Sequence, residues 1–269
     1  MGERDKQNKI KPPLTFEEQL ELLKSRNLII TNEIEAIEIL KRVNYYRLSG
    51  YTLWSKKDDK FFDGVSFSDI YNLYEFDRKL RNILIPMLET IEISCRTDIA
   101  YFLAHKYGPL GYKNKENFQN EEYHASFLNE IEKEIKREKE IFITHHKEKY
   151  NSQFPIWTIV EIMSFGTLSM LFRNLKKEDR KDIARSSYGI PEFYMISWLR
   201  CLAYVRNVCA HYGRLYGKKL ILLPKLFKSD KKLGVKADKV FCAIYIMRKL
   251  CKDQREWDSF ITNLSALLD

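Results

Sequence analysis

The sequence holds no Cys-x-x-Cys pair, and its five cysteines (Cys95, Cys201, Cys209, Cys242 and Cys251) are scattered and odd in number. That excludes a disulfide framework and a zinc site built on paired thiols, and points to free thiols in a reducing cytoplasm. Glycine and proline are scarce, 10 and 7 in 269 residues, too thin a punctuation for a many-stranded sandwich. No apolar run reaches the length of a membrane span. The charged start, Met1-Gly2-Glu3-Arg4, lacks the apolar core of a secretory signal. A glycine-rich phosphate loop and a paired-acid metal motif are also missing, which argues against a nucleotide-transferring enzyme. The expectation is therefore an all-α cytoplasmic protein with no cofactor, no metal and no membrane partner.

What is there is ordinary globular composition with a basic excess. Hydrophobic residues make up 45% of the chain, enough for a substantial core, and the net charge is +9. A basic balance speaks of partners rather than fold, with nucleic acid first and a membrane surface second. The excess is concentrated: residues 214–239 carry nine lysines and arginines against Asp230 and Asp238, a local balance of 9 − 2 = +7.

Residues 1–14 are polar and read as a mobile tail. Thr15-x-x-Glu18 and Asn32-x-x-Glu35 are capping-box patterns that open two short helices, read as one hairpin. An aromatic connector follows, Asn44 to Tyr51, and then turns through Asp58-Asp59 and Asp63-Gly64. Ser66-x-x-Asp69 opens the longest periodic segment, to about Tyr107, with Pro86 expected to kink or divide it. Residues 121–149 alternate acid and base at helical spacing and predict one solvent-exposed helix. A helix after Pro155 with a candidate break at Gly166, a charged turn at 176–182, an apolar helix over roughly 192–213 and helices at 236–250 and 254–268 complete the reading. Short strands are expected only near 51–62 and 219–223. Residues 1–65 would then be an N-terminal elaboration and 66–269 the main helical domain, the two forming one continuous compact unit.

The chemistry concentrates at Arg206-Asn207-x-x-x-His211. On a helix Asn207 and His211 share a face one turn apart, and Arg206 lies about 140° and roughly 7.5 Å from His211. A histidine can take the proton of a ribose 2′-hydroxyl or give one to the departing 5′-oxygen, because its pKa sits near working pH. An arginine can hold the non-bridging oxygens as their charge grows, and Asn207 can orient the imidazole. One histidine does not easily act as base and acid in one step, so two motifs apposed in a homodimer are expected. Arg-x4-His alone is a cheap pattern with a structural explanation, since a cationic histidine suits a helix C-terminus. Gly213 is expected to let the chain leave the helix.

Lys11-Pro12-Pro13-Leu14-Thr15-Phe16-Glu17-Glu18-Gln19, Asn44-Tyr45-Tyr46-Arg47-Leu48-Ser49-Gly50-Tyr51, Leu73-Tyr74-Glu75-Phe76-Asp77-Arg78-Lys79-Leu80 and Val205-Arg206-Asn207-Val208-Cys209-Ala210-His211 with Arg214-Leu215, taken in order, resemble the abortive-infection Abi-like family (the AbiD/AbiF group). The resemblance spans nearly the whole chain. It implies a HEPN-type helical bundle in which Arg206 and His211 belong to a composite RNase site at a dimer interface, with Asn207 at the motif's polar second position. It further implies a role in bacterial defence against phage, with a toxic activity held in check by a small structured RNA. An acidic residue on a preceding helix often supports the arginine of such sites, which singles out Glu92, one turn before Arg96. The alternative for that pair is an ordinary surface ion pair.

For RNA binding the sequence offers Tyr46 and Arg47 in the aromatic connector, whose rings can stack bases. It also offers Arg214, Lys218, Lys219, Lys231 and Lys232 in the basic segment. Neither His105 nor His145-His146 has ligand partners at metal-binding spacing. The reading is a metal-independent endoribonuclease toxin; its rival is a non-cleaving RNA-binding module of the same fold.

Overall fold

A computed structural model describes Ile10 and residues 12–269; positions 1–9 and 11, most of the expected tail, lie outside the described residues. The described chain is all-α, with 13 helices and one two-stranded sheet. Among the described residues no helix is long and apolar enough to cross a membrane. The described residues form two compact units, one up to Arg78 and the other over 79–269.

In the first unit the capping signatures do what their spacing requires. The Thr15 hydroxyl accepts from the Glu18 amide at 3.1 Å while the Glu18 carboxylate accepts from the Thr15 amide at 2.7 Å, starting α1 (Phe16–Ser25). Asn32 accepts from the Glu35 amide and starts α2 (Glu33–Arg42), which packs on α1. Such a cap is worth about 1 kcal/mol. The aromatic connector contains a further short helix, α3 (Tyr45–Ser49). The strand expected near 51–62 is a minimal hairpin, β1 (Lys56–Lys57) with β2 (Lys60–Phe61), turned by Asp58 and Asp59 in left-handed conformation. Aspartate tolerates that region better than most residues, and the Arg26 guanidinium meets Asp59 at 2.6 Å. Leu20, Leu23, Ile39, Leu40, Leu48, Tyr51, Phe61, Phe67 and Ile70 form the core. The buried Tyr51 hydroxyl donates to the Asp77 carboxylate at 2.7 Å.

Helix α4 (Phe67–Tyr107) begins with a reciprocal Ser66–Asp69 pair and gives its first turns to this unit. Pro86 does not divide it. Proline removes the bond to the carbonyl of residue 82, and both Asn82 and Pro86 lie on the exposed side, where water can replace the donor.

The second unit begins within α4, whose residues Leu84, Leu88, Ile91, Cys95, Ile99 and Leu103 are almost wholly buried. After Gly108, at φ +79°, follow α5 (Glu121–Arg137), α6 (Ile141–Lys149), α7 (Ile156–Ile162), α8 (Phe165–Asn174) and α9 (Lys177–Tyr188). The long helix α10 (Glu192–Ala210) packs against α8, α9 and α12 (Val240–Leu250). A short α11 (Lys228–Lys232) and the terminal α13 (Gln254–Leu268) complete the unit.

Several boundaries differ from the sequence reading. The single helix expected over 121–149 is two, broken at 138–140. Phe127 and Ile131 of α5 are buried, and Ile143 of α6 is fully buried too. In one straight helix Ile143 would point about 120° away from Ile131, so burying both requires the break. Residues 176–182 are not a turn but the cap and first half of α9, where Glu178 and Asp179 favour the helix start. Gly166 interrupts nothing; the break falls before it, where the Ser164 hydroxyl accepts from the Thr167 amide and starts α8. No strand forms at 219–223, because the Leu220 amide is taken by the Asp238 carbonyl at 2.8 Å rather than by a neighbouring strand.

Candidate active site

Helix α10 buries Met195, Trp198, Leu199, Leu202, Val205 and Cys209, a stripe at helical spacing that fixes which residues face outward at its end. Asn207 and His211 are exposed there, and the Arg206 side chain is 38% exposed.

The helix ends in a Schellman turn. His211 is the C-cap, its amide bonded to the Asn207 carbonyl at 3.0 Å. The Tyr212 amide reaches Cys209, and the Gly213 amide reaches Val208 at 2.7 Å. The left-handed residue that releases the chain is Tyr212, at φ +57°, and not Gly213 as the sequence suggested. Glycine is needed at 213 for a different reason. A Cβ there would stand 3.0 Å from a Val208 methyl and 3.1 Å from the Val208 carbonyl oxygen. The Gly213 carbonyl in turn accepts from Arg81 at 3.2 Å, tying the departing chain to α4.

Glu92 of α4 comes to this helix end, only 6% exposed. One carboxylate oxygen pairs with Arg96, one turn on in the same helix; the other lies 3.7 Å from Arg206 Nε. Arg96 also donates to the carbonyls of Val160 and Met163 at the C-terminal end of α7. It therefore supplies donors to a helix end whose carbonyls have no intrahelical partner, and it holds Glu92 with its second oxygen toward α10. The pair is a buried link between α4, α7 and α10 rather than an ordinary surface pair. Arg206 Nη1 also approaches Asn207 Oδ1, at 3.5 Å, the outer limit of a hydrogen bond.

The fold thus brings together Glu92, Arg96, Arg206 and Asn207, with His211 at the cap of the same helix. The basic segment after His211 is bound along α10 by its backbone: the Trp198 indole donates to the Lys225 carbonyl, and the Lys225 amide donates to Ser197 Oγ, both at 2.7 Å. Lys218, Lys219, Lys231 and Lys232 are exposed, Lys219 standing 3.8 Å from Asp238. Arg214 is half-buried and donates to the Tyr216 carbonyl. Tyr46 and Arg47 belong to the first unit, on α3, where Tyr46 is 84% exposed. His105 bonds the Tyr101 carbonyl one turn back, and His146 stacks on Phe154, both structural placements.

Sequence reasoning did not single out Arg200 and Tyr204, which line a cavity together with Asn207. Their signal was available: 200, 204 and 207 continue the helical spacing that joins Asn207 to His211.

The model of the family described as "Abi-like protein" matches residues 38–217. No curated protein and no solved structure matches the chain.

Proposed function

Because this chain belongs to the Abi-like protein family, the family tied to abortive infection, we propose that it is a HEPN-type endoribonuclease toxin of an anti-phage system, acting in the cytoplasm as a homodimer. Residues 66–269 are the HEPN-like domain in this reading, and 1–65 its N-terminal extension. One observation supports it above the others: a buried glutamate, fixed by Arg96, approaches the Arg206 guanidinium at the helix end whose cap is an exposed histidine. Glu92 thereby orients the Arg206 guanidinium at the exposed end of α10, the helix that His211 caps.

In this mechanism Arg206, oriented by Glu92, holds the non-bridging oxygens of the scissile phosphate. His211 of one protomer takes the 2′-hydroxyl proton, and the 2′-oxygen attacks phosphorus. The 5′-oxygen leaves with a proton from the second copy of His211, giving a 2′,3′-cyclic phosphate and a 5′-hydroxyl. Asn207 positions imidazole or strand. None of these steps requires a metal ion. The basic segment carries the RNA, and a small structured RNA restrains the toxin by occupying the same track.

The test is cleavage of labelled RNA in excess chelator. Wild type should cut and leave cyclic or 3′-phosphate ends, and RNA with 2′-deoxyribose at the cut should be inert. His211→Ala and Arg206→Ala should each lower the rate at least a hundredfold with little change in melting temperature. Mixing His211→Ala with wild type should depress activity through heterodimers. Variants that cut at the wild-type rate would remove these residues from the reaction. RNA bound by wild type but never cut would favour the non-cleaving RNA-binding module.

A further inference from the structure

A cavity of about 420 Å³ opens between α5, α8 and α10, with Asn207 on its lining. That volume is in the range of small-ligand pockets, roughly 300–1,000 Å³. Its walls are largely apolar and aromatic. Phe118 and Phe127 are buried at 7% and 5% exposure, while Tyr123 is half open to solvent at 49%. Over the Tyr123 ring, at 5.7 Å from its centroid, lies the Arg173 guanidinium. Arg200 lines the same cavity from α10. Among the described residues neither arginine is paired with a carboxylate. Both arginines are exposed and so can reach a ligand from solvent; beside an aromatic-walled cavity they suit a flat ligand that accepts hydrogen bonds.

A nucleobase meets that description. Aromatic faces and guanidinium planes are the usual platforms for an unstacked base. Arginine donates only, so the edge it reads must accept twice. Guanine offers N7 and O6 side by side; adenine places an amino donor next to its N7 and opposes a second arginine hydrogen. The cavity's position points the same way. Asn207 is shared by cavity and site, and His211 is only four residues further, about 6 Å along the helix axis. A strand with one base in the cavity would therefore pass its sugar–phosphate close to the helix end.

We propose that this cavity binds a guanine base of single-stranded RNA adjacent to the bond that is cut, and so sets the sequence preference of the site; this rests on the nuclease reading. Arg200 and Arg173 read the base edge, Tyr123 stacks on its face, and Asn207 lies between base and scissile phosphate.

The experiment measures fluorescence anisotropy of the full-length protein with 2′-O-methyl oligouridine carrying one central guanosine or one central adenosine. These strands lack the attacking hydroxyl and cannot be cut, so binding is read whether or not the protein is a nuclease. The guanosine strand should bind wild type about tenfold more tightly. Arg200→Gln and Arg173→Gln should bring the two strands to near parity, and Tyr123→Ser should weaken the guanosine strand. Equal affinity of wild type for both strands overturns the proposal, and that result does not depend on any variant folding. So does a preference that survives both arginine substitutions. Sedimentation of the variants supplies the remaining outcome: loss of self-association with the base preference intact would overturn it too, and would mean that a second copy of the chain covers the cavity. Cleavage of ordinary RNA, run in parallel, separates the two ideas. Cutting without base preference removes the cavity's role and keeps the nuclease, whereas base preference without cutting does the reverse.

Discussion

Glu92 is a carboxylate enclosed by two arginines, and its removal should be felt twice. Glu92→Ala leaves the mostly enclosed Arg96 side chain without its counter-charge, and breaking such a pair costs about 3 kcal/mol when fully buried and less here; urea unfolding should show that loss. It should also slow cleavage, because Arg206 loses its orienting partner. Glu92→Gln keeps a hydrogen-bond acceptor and should recover part of the stability while remaining impaired in cleavage. If both variants unfold like wild type, the link between α4, α7 and α10 is not holding the site. At this scale the sequence was partly readable. Arg206 and His211 were singled out by the family-like segments around a pattern that is cheap by itself, and Glu92–Arg96 is visible as an i,i+4 pair. That the pair is buried was not visible, because the partners that make burial tolerable are the main-chain carbonyls of Val160 and Met163, 64 and 67 residues from Arg96. Carbonyls carry no sequence signal. Arg200 looked like any exposed helix residue until α5 and α8 closed a cavity around its face.

Elements were legible where a side chain within three residues settles the matter. Thr15, Asn32 and Ser66 each start a helix by a bond to the third residue on. Breaks inside charged, helix-favouring sequence were not legible. Nothing between Arg137 and Ile141 forbids a helix; the chain breaks there because Ile131 and Ile143 must both be buried, and that demand comes from the tertiary core. Pro86 is the opposite case, a local breaker overruled by packing on either side. Leu84, Met87 and Leu88 are essentially inaccessible, so α4 is held through the missing hydrogen bond. Pro86→Ala restores that bond at an exposed position. It should stabilise the protein by about 1–2 kcal/mol, less than proline's full helix penalty because proline also restricts the unfolded chain. Thermal denaturation will show a higher midpoint, and an unchanged or lower one would mean that the proline ring packs in a way alanine cannot replace.

For the molecule as a whole, composition alone announced helices and a basic surface, and the concentration of charge in 214–239 was countable without any structure. What the sequence could not convey is that this segment is anchored by its backbone to α10 while its lysines stay outside. Anchored backbone with exposed cations suits a polyanion track. Replacing Lys218, Lys219, Lys231 and Lys232 with Ser should weaken RNA binding and flatten its salt dependence, the slope falling by about 0.7 for each phosphate of a single strand that is no longer neutralised. Folding should barely change, since exposed lysines contribute little to it. Titrations at two ionic strengths decide the point, and equal slopes would remove the segment from the RNA path. The five cysteines, all free, have a use of their own. All are buried, and burial pushes the Cys95 and Cys201 thiols up to about 12 and Cys242 up to about 11. Thiolate is the reactive form, so these buried thiols should react slowly with maleimides while the fold is intact. A single cysteine introduced on the exposed lysine segment therefore becomes a uniquely addressable handle, and a dye or spin probe can report RNA arrival without first stripping the native thiols from the protein.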